Sequence, residues 1–285
     1  MIYITGDTHR EFSRLDNFNY QKKDVLIILG DAGINYFLNH FDDVVKERLN
    51  KLGLIFFCIN GNHEERAENI KTYKEINFFD GVAYAEDKYP NLIFAKSSEV
   101  YTIEGMKVLV IGGAYSIDKN MRLVYDYPWF KSEQLTEEEM NNIYENVNNK
   151  HFDIVLSHTC PYKYIPREMF LPFVDQNKVD NSMELFLDKI EESISYDKWY
   201  CGHYHTEKEI DKIEFIIILT MICLVLTAEI INTAIERTVD LVTKEYHELA
   251  RIAKDVSAGS VLVTSTFALI IGIIIFAIIS IIIVI

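Results

Sequence analysis

Carboxylate, amide and imidazole side chains recur in short polar motifs along the first 205 residues of the chain. The motifs are Gly6-Asp7-Thr8-His9, Gly30-Asp31, Gly61-Asn62-His63-Glu64, Ser157-His158 and Gly202-His203-Tyr204-His205. Oxygen and imidazole donors together suit Mn, Fe, Zn or Co, and an aspartate placed between two ions can bridge them. Two ions about 3.5–4 Å apart clamp a phosphoryl group and activate a water molecule. The donor set therefore predicts a dinuclear metal centre for phosphoryl chemistry.

Five of the eight histidines fall within these motifs, namely His9, His63, His158, His203 and His205. A single histidine at the end of a strand is more often a structural residue than a metal ligand. Its recurrence in five ordered motifs argues against that interpretation. The other three, His40, His151 and His247, lie outside the motifs and are expected to be ordinary residues.

Short apolar segments precede the motifs, and their length and composition predict β-strands. They cover about residues 1–5, 25–29, 54–59, 152–156 and 198–201. A further strand is predicted at 107–111, and residues 41–52 carry apolar side chains at helical spacing, so strands and helices alternate. Active sites of such sheets lie beyond the carboxyl ends of the strands, and we expect the motifs to meet there.

The composition restricts the partners and the compartment. The 285 residues carry a formal net charge of -15, which argues against a general nucleic-acid binder, because phosphate backbones are held by clustered Lys and Arg. The four cysteines are scattered without paired spacing, and the N-terminus has no signal-peptide pattern. The first domain is therefore expected to be made and kept in a reducing cytoplasm.

The five motifs, in this order, resemble the conserved blocks of the calcineurin-like metallophosphoesterase superfamily over about residues 1–212. The resemblance implies an α/β fold, a four-layer αββα sandwich, and a phosphoric ester hydrolase that uses two divalent ions (Mn²⁺, Fe²⁺/³⁺ or Zn²⁺). It implies that the first ion is held by Asp7, His9 and His205 and the second by Asn62, His158 and His203, with Asp31 as the bridge. It also implies that His63, which is not a ligand, stabilises the transition state or protonates the leaving group.

Two features of that superfamily's protein phosphatase branch are missing after Gly30-Asp31: the acid that would orient His63 and a phosphate-binding arginine. The candidates to replace the arginine are Arg10, Arg66 and Arg122. Four aromatic residues could line a pocket for an aromatic or nucleotide leaving group, although core packing is their commoner role: Tyr36, Tyr115, Tyr127 and Trp129. The interval 161–179 holds three prolines and predicts a loop or cap over the site.

From about residue 213 the chain becomes strongly apolar. Residues 215–235 predict a membrane-spanning helix interrupted by Glu229 and Asn232, and residues 259–285 form a nearly uninterrupted apolar run. The second run is long enough to cross a bilayer of about 30 Å. The sequence therefore predicts a C-terminal helical transmembrane segment, with a lipid bilayer as partner and helices that could also form a homo-oligomer.

The segment at about 216–285 resembles the prokaryotic diacylglycerol kinase and undecaprenol kinase family. Ionisable residues inside an apolar helix are costly and point to function. The resemblance implies that Glu229 is the base that activates the lipid hydroxyl, that Asn232 and Glu236 bind Mg²⁺ and the ATP phosphates, and that Lys254 and Asp255 lie on the nucleotide side. An alternative function is therefore an integral-membrane lipid kinase that transfers the γ-phosphate of ATP to a lipid alcohol.

The two resemblances meet at a seam, which predicts domains at 1–212 and 213–285. The kinase-like part has no counterpart of that family's first membrane helix, and residues 212–215 predict the start of a closing strand that runs into the apolar helix. Basic residues between the helices predict a cytoplasmic loop, which would place residue 212 outside if the first helix spans. We expect the phosphoesterase domain in the cytoplasm. Either the helices insert inverted, or the Glu229 helix does not span, or the joined chain is an accident of recombination or assembly.

The leading prediction is thus a membrane-tethered, dinuclear metal-dependent phosphoesterase acting on a phosphomonoester or phosphodiester. The lipid kinase is the alternative. In a third interpretation, the C-terminal helices are an inert anchor or oligomerisation module.

Overall fold

The computed structural model of the protein describes residues 1–170, 178–206, 212–243 and 245–279. The chain forms two compact units, residues 1–208 and 209–283. The predicted domain boundary at 212 and 213 stays a prediction. Residues 171–177 of the predicted cap lie outside the described residues, and its first part contains two short 3-10 helices, Tyr162–Tyr164 and Arg167–Met169.

The first unit contains two β-sheets. The strands of the first sheet are β1 (Ile2–Thr5), β2 (Val25–Ile28), β3 (Ile55–Cys58), β4 (Tyr73–Phe78), β5 (Gly81–Glu86) and β6 (Tyr89–Ala95), in the order β1-β2-β3-β6-β5-β4. Those of the second sheet are β7 (Val100–Ile103), β8 (Met106–Ile111), β9 (His151–Ser157) and β10 (Ser195–Cys201), in the order β10-β9-β8-β7. The pairs that carry the polar motifs, β1–β2, β2–β3 and β9–β10, are parallel.

Helices cover the outer faces of the sheets: α1 (His40–Lys51) covers the first, and α3 (Glu137–Val147) and α4 (Ser182–Ser193) cover the second. A short helix, α2 (Lys119–Val124), lies between β8 and β9 in the chain. Three further 3-10 helices lie at Ser13–Asn17, Ala67–Asn69 and Lys131–Glu133. Helix α3 begins with a capping box, in which the Thr136 hydroxyl accepts the Glu139 N–H and the Glu139 carboxylate accepts the Thr136 N–H.

Three apolar cores separate the layers, because alternate side chains of a strand point to opposite faces of its sheet. Leu26 and Ile28 pack with Leu49 of α1, whereas Val25 and Ile27 pack between the two sheets. In the second sheet Val110 faces the inter-sheet core and Leu109 packs with Ile143 and Leu187 of α3 and α4. The predicted four-layer αββα sandwich is confirmed.

The second unit contains helices α5 (Lys212–Val242) and α6 (Glu248–Ile279). Residues 212–215 form the first turn of α5, so the prediction of a closing strand there was wrong. The apolar segment that follows satisfies its backbone hydrogen bonds locally as a helix, whereas a strand needs a neighbouring edge.

Helix α6 is the one helix, among the residues whose side chains are described, that is long and apolar enough to cross a membrane, over Glu248–Ile273. Little of this segment is buried within the structure, unlike the core helix of a soluble domain. Helix α6 begins earlier than the apolar run predicted at 259–285, because the amphipathic residues before Gly259 continue the same helix. Residues 280–285 of that run lie outside the described part. The predicted first span at 215–235 falls in α5, where the side chains of 212–219 are not described.

Candidate metal centre

The ends of five parallel strands bring the polar motifs to one place. Strands β1, β2 and β3 deliver Asp7, Asp31 and Asn62 from the first sheet, and β9 and β10 deliver His158 and His203 from the second. The loops approach so closely that a side chain would not fit at two glycines. Gly30 has φ +96°, and a Cβ atom there would overlap the imidazole of His158, while a Cβ atom at Gly61 would overlap the carboxylate of Asp31.

Asp7, His9 and His205 form the first group of donors. The Nε2 atoms of His9 and His205 lie 3.0 Å apart, and they lie 3.8 and 3.1 Å from Oδ2 of Asp7. Donor atoms bound to one ion at about 2.0–2.2 Å are separated by about 3 Å. The three side chains therefore have the spacing that a shared ion requires.

Asn62, His158 and His203 form the second group. Oδ1 of Asn62 lies 2.7 Å from Nε2 of His158 and 3.1 Å from Nδ1 of His203. The Asn62 amide is oriented by Ser116, whose hydroxyl accepts a hydrogen bond of 2.9 Å from Nδ2. Burial, reinforced by the neighbouring His158, lowers the pKa of His203 to about 3, which keeps its imidazole neutral and able to act as a ligand.

Asp31 lies between the two groups. Its Oδ2 is 3.9 Å from Nε2 of His9, and its Oδ1 is 3.7 Å from Nε2 of His158. Oδ1 also accepts the backbone N–H of His63 at 2.8 Å. The buried Asp31 carboxylate thus presents one oxygen toward each group, as a bridging ligand does.

The unsatisfied atoms of this region fit divalent cations. The ring nitrogen Nδ1 of His158 lies 2.7 Å from the carbonyl oxygen of Leu29. If Nδ1 carries the proton and donates it there, the neutral ring has a lone pair at Nε2 facing the acceptor Oδ1 of Asn62, an arrangement that a cation between them would stabilise. Oδ2 of Asp7 is also buried and has no hydrogen bond of normal geometry within the described part of the chain.

The electrostatics keep Asp7 ionised. Burial raises the pKa of Asp7, but His158, His205 and the N–H of His203 together hold it below the usual aspartate range. The contact with the Asp7 carboxylate raises the pKa of His205. A negative charge thus remains in a buried position, where a metal ion could neutralise it.

His63 lies beside the centre in contact with Arg122 and Asp118. The guanidinium of Arg122 contacts the His63 ring, and its Nε donates to Oδ2 of Asp118 at 2.8 Å. Oδ1 of Asp118 is 3.9 Å from Nε2 of His63. Burial, opposed by Asp31 and reinforced by Arg122, lowers the pKa of His63. Asp118 therefore occupies the neighbourhood in which an acid that orients His63 was missing from the sequence motif.

Of the three candidate arginines, Arg122 is the one placed at His63. Arg10 instead forms an ion pair of 2.6 Å with Asp42 and donates to the carbonyl of Gly33. Arg66 binds Glu139 at 2.7 Å and the carbonyls of Ser132 and Gln134. Both of these arginines tie loops together.

The four aromatic candidates divide into two pairs. The guanidinium carbon of Arg122 lies 5.6 Å from the centroid of the Tyr36 ring. Tyr127 is exposed and donates its backbone N–H to the Arg122 carbonyl. Tyr115 and Trp129 instead lie against the ammonium group of Lys119, and the Trp129 indole donates to Glu133.

Sequence reasoning did not assign roles to Ser116, Asp118 or Glu64. Glu64 is fully buried behind Asp31 and accepts the N–H of Gly33 at 3.1 Å. Burial, reinforced by the Asp31 charge, raises the pKa of Glu64 to about 8. The position of Glu64 directly after Asn62-His63 was the signal in the sequence that could have indicated its buried place behind Asp31. The loop positions of Ser116 and Asp118 offered none.

The kinase-like residues lie on α5 and α6. Asn232 donates to Glu236 at 3.1 Å and accepts from the hydroxyl of the buried Ser257 at 2.6 Å. Lys254 pairs with Asp240 at 2.5 Å, Asp255 pairs with Arg251 at 2.8 Å, and Glu229 is exposed. The structure therefore joins Asn232 and Glu236 in one polar cluster but places Lys254 and Asp255 in separate ion pairs.

Comparison with known proteins divides the chain close to the boundary between its two compact units. Residues 1–207 match the family model of calcineurin-like phosphoesterases, and residues 206–276 match that of prokaryotic diacylglycerol kinases. An undecaprenol kinase of Bacillus subtilis is 47% identical over 68 residues, which are 24% of this chain and 55% of that protein. A diacylglycerol kinase of Synechocystis is 55% identical over 51 residues (18% and 29%), and one of Escherichia coli is 39% identical over 62 residues (22% and 51%).

The chain thus spans about half or less of the length of these curated relatives. No solved structure matches it.

Proposed function

Because residues 1–207 make this chain a member of the calcineurin-like phosphoesterase family, we propose that it is a dinuclear metal-dependent phosphoesterase that hydrolyses a phosphomonoester or phosphodiester. The observation that carries the proposal is the convergence of two donor groups on the carboxylate of Asp31. The predicted recognition of both families is confirmed, and with it the expectation of a phosphoesterase that uses divalent metals.

The first ion would be held by Asp7, His9 and His205, and the second by Asn62, His158 and His203, with Asp31 shared. Mn²⁺, Fe²⁺/³⁺ and Zn²⁺ all suit such a mixed oxygen and imidazole set. When bound, such ions neutralise phosphoryl charge and lower the pKa of a coordinated water molecule.

The protein's own groups orient the substrate and the proton. Arg122 supplies a guanidinium beside His63 that can bind two phosphate oxygens. In the hydrolytic step, oxygen from water forms a bond to phosphorus as the bond to the leaving oxygen breaks. The electron pair of that bond stays on the leaving oxygen, which takes a proton from the protonated form of His63, and the proton released by the attacking water restores that form. Because burial lowers the pKa of His63, the protonated fraction and with it this step should decline as the pH rises. Asp118 accepts a hydrogen bond from Arg122 and holds that residue in position, with its other oxygen 3.9 Å from Nε2 of His63.

The test is hydrolysis of p-nitrophenyl phosphate and bis-p-nitrophenyl phosphate by the full chain in detergent with added Mn²⁺. We expect Asp31→Asn to abolish hydrolysis and the exposed-site control Asp16→Asn to retain it, because Asp16 pairs with Arg48 at the surface. The ratio of the two substrates separates monoesterase from diesterase activity. Equal rates in wild type and Asp31→Asn would contradict the proposal.

A lipid kinase is the second candidate function, favoured by the polar cluster of Asn232, Glu236 and Ser257 on two largely apolar helices. The names of the relatives suggest diacylglycerol or undecaprenol as the lipid alcohol. The resemblance to their family implies ATP with Mg²⁺ as the phosphoryl donor. Glu229→Gln should abolish ATP-dependent lipid phosphorylation, whereas Asp31→Asn should not change it. Activity that survives Glu229→Gln would argue against this candidate.

We further propose that α6 anchors the protein in a membrane with the phosphoesterase unit in the cytoplasm. Arg251 and Lys254 in the first turns of α6 favour a cytoplasmic start for this helix. A cytoplasmic first unit then requires that α5 does not span, and Glu229, Glu236, Arg237 and Asp240 make such a span costly. Protease added to intact cells should leave the first unit uncut, and cleavage there would reverse the assignment.

A further inference from the structure

Exposed apolar side chains occur on two segments that each adjoin Arg122, residues 37–41 and residues 121–127. We name them the apolar collar, which consists of Phe37, Leu38, Phe41, Met121, Tyr125 and Tyr127. Their exposed fractions range from 40% for Phe37 to 66% for Tyr125. Grouped exposed apolar residues on a soluble unit usually mark a site of interaction.

The first arm of the collar, Phe37, Leu38 and Phe41, is held by a buried carboxylate. Asp42 accepts the N–H groups of Phe37 and Leu38 at 2.8 and 2.7 Å, and Arg10 pairs with Asp42 at 2.6 Å. Leu38 has φ +53°, a left-handed conformation that is costly for leucine. The loop thus keeps an exposed leucine in a strained conformation through a buried ion pair, as functional loops often do.

The first arm reaches the candidate catalytic groups through Tyr36. The ring of Phe37 lies 4.7 Å from that of Tyr36 and 5.6 Å from that of Phe41. The Arg122 guanidinium in turn lies over Tyr36 and contacts His63. A substrate whose phosphate is bound by Arg122 could therefore extend the rest of its structure over Tyr36 and onto Phe37.

The second arm, Met121, Tyr125 and Tyr127, lies on α2 and the turn that follows it, next to Arg122 along the chain. Arg122 is buried, whereas Met121 beside it on α2 is exposed. Tyr125 donates its N–H to the carbonyl of Met121 at 3.0 Å, and Tyr127 donates to that of Arg122 at 2.9 Å. The Tyr125 and Tyr127 rings lie 6.3 Å apart. The first arm therefore adjoins the Arg122 side chain through Tyr36, and the second arm adjoins the Arg122 backbone.

We propose that the collar binds the hydrocarbon part of an amphiphilic substrate, the phosphoester of a long-chain alcohol; this inference rests on the proposed phosphoesterase function. Four collar side chains have no nitrogen or oxygen atom, so they offer hydrocarbon contact rather than the hydrogen bonds that a nucleoside or sugar would need. Helix α6 of the same chain is apolar enough to cross a bilayer, in which long-chain phosphoesters reside. The net charge of -15 disfavours general adhesion to an anionic lipid surface and favours capture of single molecules.

The test compares kcat/KM for dodecyl phosphate and butyl phosphate, using the full chain in detergent with Mn²⁺. The collar variant is Leu38→Asn with Met121→Gln, since asparagine tolerates the left-handed backbone and glutamine is a good helix former. The control is Leu185→Gln, an equally exposed leucine on α4. Partition of dodecyl phosphate into detergent affects all three proteins equally.

We expect the collar variant to lower the dodecyl-to-butyl ratio about tenfold, which corresponds to the burial of about two methylene groups. The control should match wild type. Mn²⁺ binding, followed by electron paramagnetic resonance, reports whether the centre of each variant has folded.

If the dodecyl-to-butyl ratio is the same in all three proteins and butyl phosphate is hydrolysed, the collar does not bind the hydrocarbon chain, and the phosphoesterase proposal stands. Hydrolysis of neither alkyl ester and of neither p-nitrophenyl ester would overturn the phosphoesterase proposal and the collar with it. Hydrolysis of bis-p-nitrophenyl phosphate alone would uphold a phosphodiesterase and overturn the collar as a site for a long-chain monoester. If kcat/KM is higher for adenosine monophosphate than for dodecyl phosphate, and if the collar variant lowers the value for adenosine monophosphate, the collar binds a nucleoside instead of a hydrocarbon chain.

Discussion

The guanidinium of Arg122 lies against the imidazole ring of His63, and one carboxylate, that of Asp118, lies near both. In this chain the positive charge beside the candidate metal centre comes from α2, which lies in the connection between β8 and β9 of the second sheet. This contact leads to the first prediction.

Arg122→Met should lower kcat/KM for p-nitrophenyl phosphate by about 10²–10³-fold, the usual effect of removing a charged group that stabilises a transition state. The free energy of unfolding should also fall by about 1–3 kcal/mol, because Asp118 loses its partner in a half-buried position. Arg122→Lys should recover part of the rate, since it restores charge but not the paired donors. A wild-type rate in Arg122→Met would remove Arg122 from phosphate binding.

Removal of metal should destabilise the first unit as well as stop hydrolysis. Saturation at about 100 times Kd contributes about 2.7 kcal/mol, so dialysis against a chelator should lower Tm measurably and Mn²⁺ should restore it. Asp7→Asn should lose this response. His151→Ala should keep it, because His151, Asp153 and Asp197 form an exposed cluster apart from the motifs. A Mn²⁺ response in Asp7→Asn equal to that of wild type would contradict the ligand assignment.

Gly30→Ala should disable the second ligand group. Its backbone has φ +96°, and the added methyl group would overlap the His158 ring, so the imidazole must move. Gly105→Ala is a matched control with φ +82° and no atom within 4 Å of the added carbon. Both variants should lose about 1 kcal/mol from backbone strain, but only Gly30→Ala should also lose Mn²⁺ affinity in a titration.

Glu64 should behave as a buried neutral acid. Since burial and the Asp31 charge raise its pKa to about 8, the carboxyl group of the metal-free protein is mostly protonated at pH 7, and Glu64→Gln should change the free energy of unfolding little. Glu64→Ala leaves the Gly33 N–H without this acceptor and leaves a cavity, at a cost of about 2–4 kcal/mol. Denaturant unfolding at pH 7 distinguishes the two variants. Equal losses would mean that the carboxyl group is ionised.

The strand-end positions of the donors follow from local sequence, and the structure brings Asp7, Asp31 and Asn62 together for that reason. A short apolar run followed by glycine and a polar residue defines a strand and its end, and parallel neighbours end at the same edge. Their roles as ligands stay a prediction until metal is measured.

The rest depends on contacts distant in sequence. Asp118 meets His63 because a loop folds back from the second sheet, and no local pattern marks it. Strands β4 to β7 were not assigned from sequence, and the insertion of β6 beside β3 is decided by side-chain packing between sheets. Residues 212–215 were wrongly predicted as a strand, because a short apolar pattern fits a strand and a helix equally well.

The 3.0 Å contact between His9 and His205 joins residues 196 positions apart. During synthesis at about 5–20 residues per second, His9 waits about 10–40 s before its partner exists. The first ligand group is therefore completed only when nearly the whole first unit has been translated. A nascent chain would carry no competent hydrolase until that moment, so the order of synthesis itself delays the onset of activity.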